Sequence, residues 1–375
     1  MDTYAKAQRG SAFSAATLVI FGLFVAITPF IRLAAGINEH GSAAPTCVLT
    51  EVDIEAPYAN NGDAPEIFAD GAVLIDGRSR EILYSKECDK RLPMASTTKI
   101  MTALVAAETL SGDEYVKVPK ECAGIEGSSI YLEVGETVSV KTLLYGLMLE
   151  SGNDAAYTLA ATCSGSIGEF CALMNKKAKD MGLIDTHFTN PHGLHDENHY
   201  TTAYELCVIA SEALENDTFR KIVSTKSMYA KSTFSDAMRY FSNHNKLLRS
   251  YSGANGVKTG FTKKAGRCLV TSAERDEERF VAVTLNDGND WRDHTAMLDF
   301  GFENSDTLEI ADKNSFYVYS ESGIKHVPSE SIYITVPKGE KHKTTYKMSF
   351  EKNGAFAEYF IDGKKSGSFS LVSMQ

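Results

Sequence analysis

The sequence predicts an α+β fold: an antiparallel sheet with helices on its faces, followed by a small C-terminal all-β domain. Three observations carry this reading. Near the start of the ordered pattern, GAVLID (Gly71–Asp76) and EILYSKE (Glu81–Glu87) are strand-like runs around Gly77 and read as a hairpin. A long block of helical periodicity follows, from Thr97 to Asn216. The period then switches to two in GVKTGFT, RCLVTSAER and RFVAVTLND, and again in short runs beyond Asp306. Strands, then helices, then strands fit an α+β arrangement and not an alternating parallel sheet.

The elements follow in chain order. Met1 to Gly10 carries Lys6 and Arg9, and Ser11 to Ile31 holds no charged residue. Small residues follow at Ala34-Ala35-Gly36 and at Ser42-Ala43-Ala44. A basic start, an apolar middle and a small-residue end make residues 1–36 an export signal or an N-terminal membrane anchor. The length of the apolar run favours an anchor and the small residues favour cleavage, although Pro45 directly behind Ala44 weakens the second cleavage choice. Residues 37–64 are a linker with Gly41, Pro45, Pro57 and Asn60-Asn61-Gly62 and no lasting period. Within a main domain of residues 65–305, a first helix spans Thr97 to Leu110, with Ile100, Met101, Leu104 and Val105 on one face. KTLLYGLMLE and DAAYTLAATC are the next two helices, with Ser151-Gly152-Asn153 as the connection between them. Further helices cover Ile167 to Met181 and TAYELCVIASEALEN, and Trp291 to Phe302 closes the domain. Residues 306–375 hold SFYVYSES, SIYITVP, TTYKMSFEK, AEYFID and SFSLVS, the strands of a small β-rich domain.

Composition excludes some functions. The 375 residues are 43% hydrophobic and carry a formal net charge of -11, which argues against a nucleic-acid partner. The seven cysteines are scattered without a CxxC pair, so neither a structural zinc site of the usual spacing nor a disulfide framework is expected. They read as buried apolar residues.

The chemistry starts at Ser96-Thr97-Thr98-Lys99. On a helix, positions i and i+3 share a face, so the amine can approach the hydroxyl. A serine hydroxyl is a poor nucleophile until a neighbour takes its proton, and a lysine can do so only when burial or another cation lowers its pKa. Ser-x-x-Lys alone is a weak pattern: Ser322/Lys325 and Ser349/Lys352 repeat it in β-like runs, where the two residues point to opposite faces. Two unique elements strengthen the first copy. Ser151-Gly152-Asn153 is the only Ser-x-Asn and lies in a tight connection, able to aim a hydroxyl and an amide into a cleft. Lys258-Thr259-Gly260 is the only Lys-Thr-Gly and lies on a strand along which an extended peptide could pair, with Gly260 permitting close approach. Lys258 would also lower the pKa of Lys99 by like-charge repulsion.

Together these residues resemble the three motifs of the penicillin-recognising serine enzymes. PMASTTKIMTALVA, LMLESGNDAA, FTNPHGLHDENHYTTAYEL and NGVKTGFTKKAGRCLV resemble the low-molecular-mass penicillin-binding proteins that are serine-type D-alanyl-D-alanine carboxypeptidases. The resemblance spans roughly Ile67 to Asn304 and implies a β-lactamase/transpeptidase-like fold. It also implies the substrate, a peptidoglycan stem peptide ending in D-Ala-D-Ala, with β-lactams as covalent inhibitors and no cofactor. Carried across, Ser96 attacks the carbonyl between the two D-alanines and Lys99 takes its proton. Ser151 passes a proton to the departing D-alanine, and Asn153 holds the peptide amide. Lys258 supports the relay, and Thr259 binds the terminal carboxylate. The oxyanion sits between the N–H groups of Ser96 and Phe261. Arg292 stands where the family often places a carboxylate-binding arginine. The family often ends in a basic amphipathic membrane helix, whereas this chain ends in SGSFSLVSMQ, so either the N-terminal segment is the anchor or the protein is released. The implied location is the outer face of the cytoplasmic membrane or the cell wall.

His187, His192, His195 and His199 could suggest a metal, but Asn190-Pro191 and His192-Gly193 are turn formers, and a structural loop is the expectation. The alternatives from the same fold are a serine β-lactamase and a DD-endopeptidase. A β-lactamase would need a deacylating Glu shortly after the Ser-x-Asn turn; no ExxLN stands there, and Glu212 to Asn216, which reads EALEN, lies far downstream in a helical pattern.

Overall fold

The computed structural model describes residues 64–374 apart from 232–233, 235–237, 277, 321–322, 340–341 and 352–353. The export segment, and the linker as far as residue 63, lie outside the described residues, as does one partner of each decoy Ser-x-x-Lys pair. No helix among the described residues is long and apolar enough to cross a membrane.

The centre of the fold is a five-stranded antiparallel sheet in the order β2-β1-β9-β8-β7. Its strands are β1 (Gly71–Asp76), β2 (Ile82–Lys86), β7 (Ala254–Thr262), β8 (Gly266–Arg275) and β9 (Glu278–Leu285). Leu74 of β1 pairs with Tyr84 of β2 and with Ala282 of β9, so the N-terminal hairpin docks on strands some two hundred residues later. Both faces of this sheet are covered, which is why β1, β8 and β9 are buried along most of their length. Alternate residues feed two cores. Val73, Ile75, Val281 and Val283 point into a large helical core, and Ala72, Leu74, Phe280 and Ala282 into a smaller one under α8 (Asp290–Asn304).

The large core is built by α1 (Lys99–Thr109), α2 (Val140–Leu149), α3 (Asn153–Ser164), α4 (Ile167–Asp180), α5 (Ala203–Glu215) and α6 (Asp217–Val223). Every residue of α1 from Lys99 to Ala106 is buried, so this helix is wrapped on all sides by its neighbours. Side-chain caps start several of the others: Ser139 accepts from the Thr142 N–H, Ser166 from Glu169 and Thr202 from Glu205. Among the cysteines, Cys88, Cys122, Cys171, Cys207 and Cys268 are buried free thiols and Cys163 is half-buried.

Two small hairpins escape the sequence pattern: β3 (Tyr115–Lys117) with β4 (Thr137–Ser139), and β5 (Ser227–Lys231) with β6 (Met238–Ser242). A short helix, α7 (Leu247–Ser250), leads into β7. After α8, the chain enters β10 (Ser305–Ala311), which pairs with β13 (Ile332–Pro337). The remaining strands, β11 (Val318–Tyr319), β12 (Lys325–Pro328), β14 (Thr344–Glu351), β15 (Gly354–Ile361) and β16 (Lys364–Met374), form a second five-stranded sheet in the order β11-β12-β16-β15-β14. Ile310, Ala311, Ala357, Phe369 and Leu371 make a core of their own there. The C-terminal region joins the first sheet through buried Asp76, whose Oδ2 accepts from the hydroxyls of Thr307 and Thr335 at 2.6 and 3.1 Å.

Candidate active site

Ser96 sits in a single 3₁₀ turn, Ala95–Thr98, that runs directly into α1. Ala95 has φ +47°, a left-handed conformation that a non-glycine residue adopts at a cost. Side-chain bonds pin the turn on both sides. Thr97 Oγ1 donates to the Met94 carbonyl at 2.5 Å, and Thr98 Oγ1 donates to the Ala95 carbonyl at 2.8 Å. Gly193, at φ +88°, lies so close that a Cβ there would fall 1.9 Å from the Ala95 oxygen.

Lys99 begins α1 with its side chain fully buried. Its Nζ has three neighbours: Ser96 Oγ at 3.1 Å, Asn153 Oδ1 at 2.8 Å and the His192 carbonyl at 2.6 Å. Burial drives its pKa well below the ordinary lysine value, and the charge of Lys258 pushes the same way while Asp154 opposes. This set of partners dictates the chemistry of the neutral amine. Two of the neighbours are carbonyl oxygens that can only accept, so they take the two N–H bonds of an NH₂ group. The lone pair is left facing Ser96, whose hydroxyl then donates to it. In its neutral form Lys99 thus stands as a base against an alcohol, the arrangement an activated serine needs.

The Ser-Gly-Asn connection opens α3. Ser151 has φ +62°, and its hydroxyl is buried without a hydrogen-bond partner, a group that invites a ligand atom. Asn153 is fixed from both ends of its amide: Oδ1 accepts from Lys99, and Nδ2 donates to the Glu126 carbonyl at 2.5 Å. The next residue, Asp154, is completely buried. It accepts from Ser129 Oγ at 2.7 Å and from the N–H groups of Ile130 and Leu132 at 3.1 and 3.0 Å, clamping that loop to the start of α3.

The third wall is β7, the edge strand of the central sheet. Lys258 is buried with Nζ donating to the Thr259 carbonyl at 2.9 Å, and burial brings its pKa down to about 7 while Glu150 pulls it back up. A Cβ on Gly260 would lie 3.0 Å from the Ser96 nitrogen and 3.1 Å from that of Thr97, so the absence of a side chain at residue 260 lets the strand pack closely on the Ser96 turn. Phe261 follows with its ring 65% exposed.

The structure therefore gathers Ser96, Lys99 and Asn153 by direct bonds, places Ser151 beside Asn153, and brings Lys258, Thr259 and Gly260 to the same turn. Arg292 joins none of these contacts. It lies in the first turn of α8, its guanidinium 5.0 Å over the Phe68 ring and 3.5 Å from Asp293. Among the described residues, no group of three His, Cys, Asp or Glu side chains is placed to hold a metal ion. The histidine segment instead contributes the His192 carbonyl and packs the His192 ring flat on Tyr157 at 5.2 Å. Burial lowers the His192 pKa to about 3, with Lys99 adding to the effect, so this imidazole is neutral. Sequence reading missed Asp154, Glu126 and His192 as supports of the site. Asp154 adjoins Asn153 and could have been weighed, whereas a contribution through a backbone carbonyl leaves no mark in residue identity.

Comparisons with known proteins identify the family. The family described as D-alanyl-D-alanine carboxypeptidase matches residues 58–289. The carboxypeptidase DacF of Bacillus subtilis is 37% identical over 286 residues, covering 72% of this chain and 73% of that protein. A Streptomyces DD-transpeptidase structure superposes with TM-score 0.61 at 37% identity, over 64% of this chain and 98% of that one. Penicillin binding protein 5 of Haemophilus influenzae superposes with TM-score 0.71 at 28% identity, over 83% of this chain and 98% of that one.

Proposed function

The chain belongs to the D-alanyl-D-alanine carboxypeptidase family of serine peptidases, and on that premise we propose that Ser96 is its acylating nucleophile and Lys99 the base that activates it. The substrate is a peptidoglycan stem peptide ending in D-Ala-D-Ala. The reaction removes the terminal D-alanine.

The observation that carries this assignment is the environment of the Lys99 amine, whose two carbonyl partners leave its lone pair for the Ser96 hydroxyl. As the peptide binds along β7, its terminal carboxylate meets Thr259 and the charge of Lys258. The Ser96 proton moves to Lys99 Nζ while Oγ bonds to the carbonyl carbon between the D-alanines. The oxyanion is held by the N–H groups of Ser96 and Phe261, a role supported by the close approach of Gly260, the residue before Phe261, to the Ser96 nitrogen. The C–N bond breaks as Ser151, whose hydroxyl is free to bridge, relays a proton to the leaving nitrogen. Asn153 holds the remaining peptide amide. Water then cleaves the Ser96 ester and regenerates the site. A β-lactam presents its strained amide to the same hydroxyl and stays attached as an ester, because its leaving nitrogen remains tethered. Arg292, stacked on Phe68, is assigned no step. Export by residues 1–36 places the enzyme outside the cytoplasm, and retention of that segment would tether it to the membrane.

The test is mass spectrometry of a muropeptide pentapeptide incubated with the purified protein. Loss of a single D-alanine, absent in Ser96→Ala, is the expected result. Cleavage at a cross-link instead would make it an endopeptidase. Labelled penicillin that stays on Ser96 for minutes supports the carboxypeptidase, and immediate turnover of the label supports the β-lactamase alternative.

A further inference from the structure

His199 is a buried histidine of the 187–199 segment that the reaction does not use, and it is 3% exposed. Its surroundings fix the direction of every proton. The Thr189 N–H donates to Nδ1 at 3.1 Å, so Nδ1 carries the lone pair and the ring proton sits on Nε2. Nε2 lies 2.7 Å from Thr98 Oγ1 and donates to it. The Thr98 hydroxyl, its oxygen now occupied as an acceptor, donates its own proton to the Ala95 carbonyl at 2.8 Å. An edge contact from Phe188, at 5.8 Å and 74° between the ring planes, holds the imidazole in that orientation.

We infer that His199 is a positioning residue for acylation: acting through Thr98, it holds the Ala95 carbonyl and so keeps the strained turn that aims Ser96 at Lys99 and the oxyanion site. This rests on the reading of Ser96 as nucleophile. The relay ends on the one residue of the turn with a left-handed backbone, Ala95 at φ +47°, where an unanchored peptide would relax. The same segment grips that carbonyl a second way through Gly193 and supplies the His192 oxygen to Lys99. One loop therefore orients both the nucleophile and the base. The groups facing the imidazole are Lys99 on α1 and His187, His195 and Asp196 in its own loop. Burial, the largest influence, brings its pKa to about 4, so the one-way relay stands at neutral pH.

Paired substitutions separate this role from that of a merely satisfied core histidine. A glutamine places its amide nitrogen near the Nε2 position and keeps the donor to Thr98. An asparagine can keep only the acceptor for Thr189. Single-turnover acylation of the full-length protein by a labelled penicillin, over a concentration series, gives the acylation rate and the non-covalent affinity separately. His199→Asn and Thr98→Val are each expected to slow acylation about tenfold with little change in affinity, the scale of one lost hydrogen bond. His199→Gln and Thr98→Ser should recover most of the rate. The double variant His199→Asn/Thr98→Val should be no slower than the slower single, since both break the same chain. Equal rates in His199→Asn and His199→Gln, additive losses, or a lowered melting temperature with an unchanged rate for the folded protein would each overturn the inference. Label found on a residue other than Ser96 in the parent would overturn the reading beneath it as well.

Discussion

Gly193→Ala tests how tightly the histidine loop governs the nucleophile. The residue adopts φ +88°, where a Cβ costs about 1–2 kcal/mol from backbone sterics alone. The new methyl would also lie 1.9 Å from the Ala95 oxygen, 2.4 Å from its carbonyl carbon and 2.8 Å from Thr98 Oγ1. Ordinary contact begins at 3.4 Å, so the carbonyl and the loop must part by about 1.5 Å. Overpacking of this kind costs a further ~1–3 kcal/mol. The sum, ~2–5 kcal/mol, lowers the melting temperature by several degrees or more in a domain of this size. The kinetic effect should be larger, because Ala95 immediately precedes Ser96 and a misplacement of about 1 Å in a reacting group can cost about a hundredfold. Stopped-flow acylation by a chromogenic cephalosporin should therefore slow by about two orders of magnitude, with non-covalent affinity nearly unchanged. Gly168→Ala is the control: it lies in the first turn of α4 with nothing within 4 Å of a Cβ, and should leave the rate alone. If Gly193→Ala acylates within about threefold of the parent, the loop does not set the geometry of Ser96 and the argument fails.

Three further outcomes are expected. Lys258 has a folded pKa of about 7 against an ordinary 10.5, so the unfolded chain binds more protons between those values and the lysine's cost to stability is full below pH 7 and fades as pH rises toward 10.5. Lys258→Met should therefore be inactive yet more stable than the parent near pH 7, by up to about 4 kcal/mol less the lost bond to the Thr259 carbonyl, with the gap closing toward pH 10 in denaturant titrations; a gap independent of pH would contradict it. Asp154→Ala removes the acceptor for Ser129 and for the backbone N–H groups of Ile130, Leu132 and Ala155, and should cost roughly 2–4 kcal/mol with faster amide exchange at Ile130 and Leu132. Arg292→Ala should change KM for a D-Ala-D-Ala peptide by less than about threefold, because the exposed side chain rests on Phe68; a tenfold rise would give it the carboxylate after all.

Much of the fold was legible because the sheet is buried on both faces. β1, β8 and β9 each carry a run of buried residues of strand length, and the helical block between β1 and the later strands separates the two groups. The hairpins β3/β4 and β5/β6 were not legible. Each has a single buried residue in one or both strands, Val116 and Val138 in the first and Ala230 and Phe241 in the second, too few to impose an alternation. In the C-terminal region, SFYVYSES reads as a full strand but, among its described residues, strand pairing is confined to Val318–Tyr319, while β10 and β12 escape the pattern reading. The site divides in the same way. Ser96, Lys99, Ser151, Asn153 and Lys258 were legible because their chemistry resides in side chains at fixed spacing. The His192 carbonyl, the Glu126 carbonyl and the Gly193 contact act through the backbone, and nothing in residue identity distinguishes them from any turn.

Several unfavourable features of this molecule lie at the site itself. Two lysines are buried with depressed pKa values, Ala95 and Ser151 carry left-handed backbones, and the Ser151 hydroxyl lacks a partner. Each would be removed by selection for stability alone, and each is held in place by satisfied groups around it: Asp154 with its loop, Thr97 and Thr98 on the turn, His199 behind Thr98. The supports must be rigid for the strain to persist, and this explains why they are buried and closely bonded although they never meet the substrate. It follows that substitutions at the reacting groups and at their supports should move stability in opposite directions. Lys258→Met should raise it while abolishing the reaction, and Asp154→Ala should lower it while only weakening the reaction.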